Sequence, residues 1–215
     1  MTYSLSSGTG ACMRLSTIKF LAVTFAILTA TGAVAAEGRF TPFMAVKGPT
    51  AQPIGHYEFC AAHRSECVVR SAGGKRMRLT AERWNALVEI NNSVNTGIEP
   101  ATDQEIFGQP EVWVYPTTRG DCEDLVLLKR RLLIQAGWPT GSLLITVVRQ
   151  ANGDGHAVLT VLTDRGDLVL DNLNPQIILW NQTPYRYIKR QSEYDSGKWV
   201  SIEDGRETLV GSLKK

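Results

Sequence analysis

An excess of either charge is nearly absent from this chain of 215 residues: 23 Lys and Arg stand against 21 Asp and Glu, with no basic face or stripe among them. That excludes a nucleic-acid footprint, which needs clustered positive charge. Apolar runs are short as well. The segment Phe20 to Ala30 falls below the length needed to span a bilayer. No internal repeat and no low-complexity tract is present, which leaves out solenoids and linker-like chains. Histidine occurs three times and cysteine four, so any thiol–imidazole pair has few candidates.

What is there begins with an export signature over residues 1–36. Arg14 and Lys19 form a basic region, Phe20 to Ala30 an apolar core, and Ala33-Val34-Ala35-Ala36 a small-residue cleavage site. Twelve residues precede Met13, which makes a good start in its own right; Cys12 would then not belong to the protein. Removal of the segment takes Arg14 and Lys19 with it and brings the formal charge from +2 to 0. Residues 37–215 then form one domain, about 180 residues being within the usual range. The expected location is periplasmic or secreted.

Cys60, Cys67 and Cys122 remain after cleavage, and an oxidising compartment favours one pair and one free thiol. Cys60 with Cys67 is the natural pair, closing the loop Ala61 to Glu66. Two reduced cysteines, or a metal pair joined by His56 and His63, are the alternatives.

Residues 37–55 carry Pro42, Pro49 and Pro53 and read as an irregular arm. Thr80 caps a predicted helix over about 80–97, with Trp84, Leu87, Val88 and Val94 at helical spacing. A long connection from Pro100 to Pro116 follows, of a length that is often functional. The next helix starts at about Asp121 and shows Leu125, Leu128, Leu132 and Ala136 on one face before Gly137-Trp138-Pro139 ends it. Ser142 to Arg149, His156 to Thr163 and Leu168 to Asp171 are β-rich runs separated by turn residues. Tyr185 to Lys189 and Lys198 to Ser201 add possible edge strands, and the tail from Glu203 is polar. A helix packed on an antiparallel sheet, an α+β fold, results.

Cys122 stands in Gly120-Asp121-Cys122-Glu123-Asp124, in the first turn of the second helix. A thiol attacks acyl carbon as thiolate, and a helix N-terminus or a neighbouring imidazole supplies that form. His156 opens a strand after a flexible turn and is the base of choice over His56 and His63. Asp171 closes the following strand and would orient the imidazole. A two-residue turn at Arg165-Gly166 sets Asp171 opposite Thr160, four residues from His156, so a wider turn or a bulge is needed to close the triad. The Cys122 backbone N–H is one oxyanion donor; the Trp113 indole is a candidate for the second, although core or cleft wall suits that residue better. Three acids beside a thiol raise its pKa. A cation on Asp121 and Glu123 resolves that conflict, and oxygen-only ligands favour Ca²⁺, with simple helix capping by Asp121 as the alternative.

Phe59-Cys60, Arg83-Trp84, Ile90-Asn91, Asn95, Pro100-Ala101-Thr102-Asp103, Gly120-Asp121-Cys122-Glu123-Asp124, Gly155-His156-Ala157-Val158 and Leu170-Asp171-Asn172 together resemble the bacterial transglutaminase-like cysteine proteinases, whose better-known branch is the LapG-type periplasmic proteases. The resemblance implies a papain-like or transglutaminase-like fold and a Cys122, His156, Asp171 triad. It also implies calcium on Asp121 and Glu123. LapG-type members cut large cell-surface adhesins and answer to a membrane receptor, so a protein substrate and a receptor regulator are the partners it suggests. The resulting expectation is a thiol endopeptidase. A transglutaminase-type acyl transferase, a cell-wall amidase and a silent binding domain are its rivals.

Overall fold

A computed structural model describes residues 41–73 and 76–205. The expected export segment, with Cys12 and Met13, lies outside them, as does most of the polar tail. In chain order the elements are β1 (Val46–Thr50), α1 (Ile54–Ala62), α2 (Ala81–Gly97), β2 (Glu99–Pro100), α3 (Asp103–Phe107), β3 (Arg119–Gly120), α4 (Cys122–Gln135), β4 (Leu143–Arg149), β5 (Gly155–Thr163), β6 (Gly166–Leu170), β7 (Ile178–Leu179), β8 (Arg186–Gln191) and β9 (Trp199–Ile202). Seven of the strands make one sheet in the order β1-β9-β8-β4-β5-β6-β7. All its pairings are antiparallel.

The apolar face of α4 explains the packing. Val126, Leu127 and Leu133 meet Ile145, Ala157, Leu159, Val161, Leu168 and Leu170 on one side of the sheet. A second cluster with Val148, Val158, Val169, Tyr185 and Tyr187 covers the other side. The central strands are therefore buried on both faces, which is why β4 to β6 read as nearly continuous apolar runs. On the outer side of α4, Leu125 packs with Val94 and Ile98 at the C-terminal end of α2. Thr80 caps α2 as expected, its hydroxyl accepting from the Arg83 amide.

Three expectations are corrected. The stretch 37–55 is not an irregular arm throughout: Pro49 sits in β1 at the sheet's edge, where a missing N–H is tolerated, and α1 starts directly after Pro53. The second correction concerns β8, an interior strand between β9 and β4. Its polar residues are accommodated because Gln191 accepts from the Ile145 amide and donates to the Ser196 carbonyl. The third lies in the β5–β6 turn, whose two residues are Asp164 and Arg165, with Thr163 opposite Gly166 and Leu159 opposite Leu170. Shifting the turn back by one residue moves the pairing by two and carries Asp171 to the level of Val158. No bulge or wider turn is required.

The long connection contains α3, closed by a reciprocal capping box between Thr102 and Glu105 and ended by Gly108 at φ 67°. Cys60 and Cys67 are disulfide-bonded with Cα atoms 5.6 Å apart, which leaves neither the reduced nor the metal-bound alternative for that pair.

Candidate active site

The chain reaches α4 through Gly120, where a Cβ would lie 2.9 Å from Asp124 Oδ2 and 3.0 Å from Pro116 Cβ. Glycine there lets the backbone run tightly over the first turn. Cys122 is the first residue of α4 and the free cysteine among the described residues, half-buried at the helix N-terminus. Its Sγ lies 2.9 Å from Glu123 Oε2. Burial, then the Glu123 carboxylate, raise the thiol well above its ordinary range, while the Ala157 backbone amide on β5 works the other way by bonding to the sulfur. As it stands, the arrangement favours the thiol over the thiolate.

His156 and Asp171 meet across β5 and the end of β6, with His156 Nε2 2.8 Å from Asp171 Oδ1. Both are at least 95 % buried. Nε2 is thereby committed, and Nδ1 is left as the nitrogen for exchange with a reacting group. Asp171 also accepts from the Tyr185 hydroxyl through Oδ2 and from the Leu173 amide through Oδ1. Burial alone would raise its carboxyl, yet the hydrogen bonds from His156 and Tyr185 outweigh that and hold it below the usual value as a carboxylate. The Tyr185 ring stands edge-on to the imidazole, centroids 5.4 Å apart, so one tyrosine fixes both partners. No local sequence pattern marks Tyr185; its role follows from where β8 enters the sheet.

Cys122 and His156 line one cavity of about 350 Å³, walled also by Glu123, Trp113, Glu111 and Lys189. The Trp113 indole N–H donates to Glu111 Oε1 at 2.8 Å, and its ring packs in the core. It is a cleft wall held by its own partner, the alternative preferred from the sequence. Gly55 on α1 permits the approach, since a Cβ there would meet the indole at 2.3 Å.

Behind the thiol, oxygens of Asp103, Asp121 and Asp124 lie within 4.8 Å of one another. Asp103 Oδ1, Asp121 Oδ1 and Asp124 Oδ2 are each buried without a hydrogen-bond partner. Burial, then the charges of Glu123 and Asp103, push Asp121 up to about 8 from 3.8. Burial, with Asp121 and Asp103 adding, pushes Asp124 up to about 7. Three carboxylates at this separation, each with a buried oxygen lacking the donor it requires, fit a hard cation. Of the two residues expected to hold a metal, Asp121 is in the trio and Glu123 is beside it, with one oxygen on the thiol. Asp103, brought in by α3, was not singled out for a metal from the sequence, since it stands 18 positions before Asp121.

Neither His56 nor His63 lines the cavity that holds Cys122. His56 is 1 % exposed beside the disulfide, and its ring nitrogens face donors from Trp199, Gln191 and Gln52. Burial, then Arg130, push it down to about 4, so it is a neutral packing residue.

Residues 46–207 match the family described as bacterial transglutaminase-like cysteine proteinase. Among solved structures, LapG from Legionella pneumophila is similar at 24% identity over 54% of this chain and 68% of that one, with a TM-score of 0.46. Its calcium-bound form is similar at 20% identity over 74% of this chain and 88% of that one, with a TM-score of 0.48. No curated protein matches.

Proposed function

This chain belongs to the bacterial transglutaminase-like cysteine proteinases, and from that premise we propose that it is an exported, periplasmic or secreted endopeptidase acting through Cys122, His156 and Asp171. The observation that carries the reading is one cavity lined by Cys122 and His156 with the imidazole bonded to Asp171 behind it. His156 takes the Cys122 thiol proton as the sulfur attacks a peptide carbonyl carbon, and the C–N bond breaks as the imidazolium gives that proton to the leaving amine. A thioester remains. Water, deprotonated by His156, then attacks it and frees Cys122 with a new carboxylate. Asp171 keeps the imidazole in one tautomer throughout, and the backbone N–H groups at the start of α4 receive the oxyanion.

Calcium fits the acidic trio: Asp103, Asp121 and Asp124 would hold it, with Glu123 beside Asp121 as a fourth carboxylate. When bound it supplies positive charge that offsets the acids around the thiol. The protein substrate, a cell-surface protein by the family resemblance, and a membrane receptor as regulator belong to the same proposal.

Incubation of the mature protein with an unfolded exported-protein extract, followed by sequencing of new N-termini, tests hydrolysis. Cuts that vanish in Cys122→Ala support it. Incorporation of a labelled amine at glutamine with no new termini would instead mark an acyl transferase.

A further inference from the structure

Beside the catalytic cavity lies a second one of about 420 Å³. The β4–β5 turn stands between them: Gly155 and His156 line the first and Gly153 the second. The second cavity is walled by Arg149, Arg186, Tyr185, Pro184 and Ala151. Its Tyr185 is the residue that donates to Asp171.

Arg149 and Arg186 are directly opposite each other on antiparallel β4 and β8. Like charges in that position repel and reduce stability. Among the described residues neither guanidinium has a carboxylate at ion-pair distance. One Arg149 N–H donates to the Gly153 carbonyl at 2.7 Å, and both side chains are exposed. Asp154 in the β4–β5 turn and Asp204, which meets the residue after Arg186, are engaged elsewhere. Asp154 accepts from the Asn152 side-chain amide, and Asp204 accepts from the Tyr187 backbone amide.

We propose that this cavity is a substrate subsite for an acidic side chain, Asp or Glu, of the polypeptide being cut, seated between Arg149 and Arg186. The assignment rests on the peptidase reading above. A guanidinium presents parallel N–H donors that match a carboxylate, and Pro184 and Ala151 offer apolar surface for the side chain's methylenes. An incoming carboxylate also relieves the Arg149–Arg186 repulsion. Along β4, Val147 lines the catalytic cavity and Arg149 the second, a separation of roughly 7 Å at the rise of a strand. An extended substrate covers that in about two residues, which places the acid about two positions from the scissile bond.

Two pools of end-blocked octapeptides test this, one carrying Glu and the other Gln at a fixed central position among randomised neutral residues. With calcium present, wild-type protein cuts the Glu pool about tenfold faster, the yield of one charge-assisted hydrogen bond. The preference falls as salt rises. In Arg149→Gln/Arg186→Gln the Glu-to-Gln ratio drops to near one. Equal cutting of the two pools by wild type overturns the subsite.

A binding arm separates this from failure of the enzyme reading. Cys122→Ala is titrated with fluorescent versions of both pools and followed by anisotropy. Glu binding no tighter than Gln binding overturns the subsite whether or not wild type cuts either pool. Tighter Glu binding, lost in the double arginine variant, upholds acid recognition at this cavity even if wild type cuts neither pool, while absence of new N-termini in the protein extract is what sinks the peptidase.

Discussion

Replacing Asp121 with Asn should stabilise the calcium-free protein at alkaline pH and remove its response to calcium, two effects of opposite sign from one change. Asn keeps the side-chain shape, and Asp121 makes no side-chain cap bond for the change to disturb, so the substitution isolates charge. Asp121 is held near 8 in the fold against 3.8 otherwise. Its neutral form is favoured in the fold, so the associated stability is fully present below pH 3.8 and is lost as pH rises through about 8. At 1.36 kcal/mol per decade the loss is about 6 kcal/mol, and solvent screening of a partly exposed group reduces it to roughly 2–3. At pH 8.5 in chelator, Asp121→Asn should therefore melt about 5–10 °C above wild type, at the 2–4 °C per kcal/mol of a chain this long. The gap closes toward pH 4. Saturating calcium should raise wild type by about 2.7 kcal/mol at a hundredfold excess over Kd and leave the variant nearly unmoved. Calorimetry at pH 4.5 and 8.5, with chelator and with calcium, reads all of this. A variant that melts below wild type in chelator at pH 8.5, or that keeps the calcium shift, would refute the repulsion argument.

Other consequences follow from the same geometry. Cys122→Ala should abolish cleavage while moving Tm by no more than a few degrees, because a half-buried thiol carries little packing; a large drop marks a structural cysteine. Tyr185→Phe removes one of the bonds holding Asp171 and should lower kcat about tenfold with KM little changed, whereas an equal rise in KM alone would place Tyr185 in substrate binding only. His56 sits near 4 in the fold against 6.5 otherwise, so its stability contribution is present above pH 6.5 and is lost as pH falls through about 4. That is about 3 kcal/mol, and urea titrations of His56→Gln should show a shallower acid loss than wild type. Reducing the Cys60–Cys67 bond should cost roughly 2–3 kcal/mol for so short a loop, read as a lower midpoint in urea with reductant.

The helices α2 and α4 were legible because their caps and apolar spacing are local, as were the strands β4, β5 and β6, whose apolar runs are too continuous for a surface element. The free thiol at a helix start was legible for the same reason. Edge and interior strands were not: β8 reads as polar, and only the hydrogen bonds of Gln191 and the packing of Tyr187 reveal why it sits inside the sheet. The pairing of Asp171 turned on one residue in a turn, since Asp164-Arg165 and Arg165-Gly166 are both plausible two-residue loops and differ by two positions in register. Asp103 and Tyr185 lie far in sequence from the residues they serve. The Thr102–Glu105 capping box that fixes α3 is local, but the packing that carries Asp103 to Asp121 and Tyr185 to Asp171 is long-range, and no spacing rule contains it.

The most direct test of the account is the rate of Cys122 alkylation by iodoacetamide against pH, with calcium and with chelator, on the mature protein and on His156→Ala. The account predicts an apparent pKa well below the free-thiol value of about 8.5 with calcium, rising in chelator and lost in His156→Ala. A thiol that titrates at or above the free value under every condition, and is indifferent to His156, would contradict it.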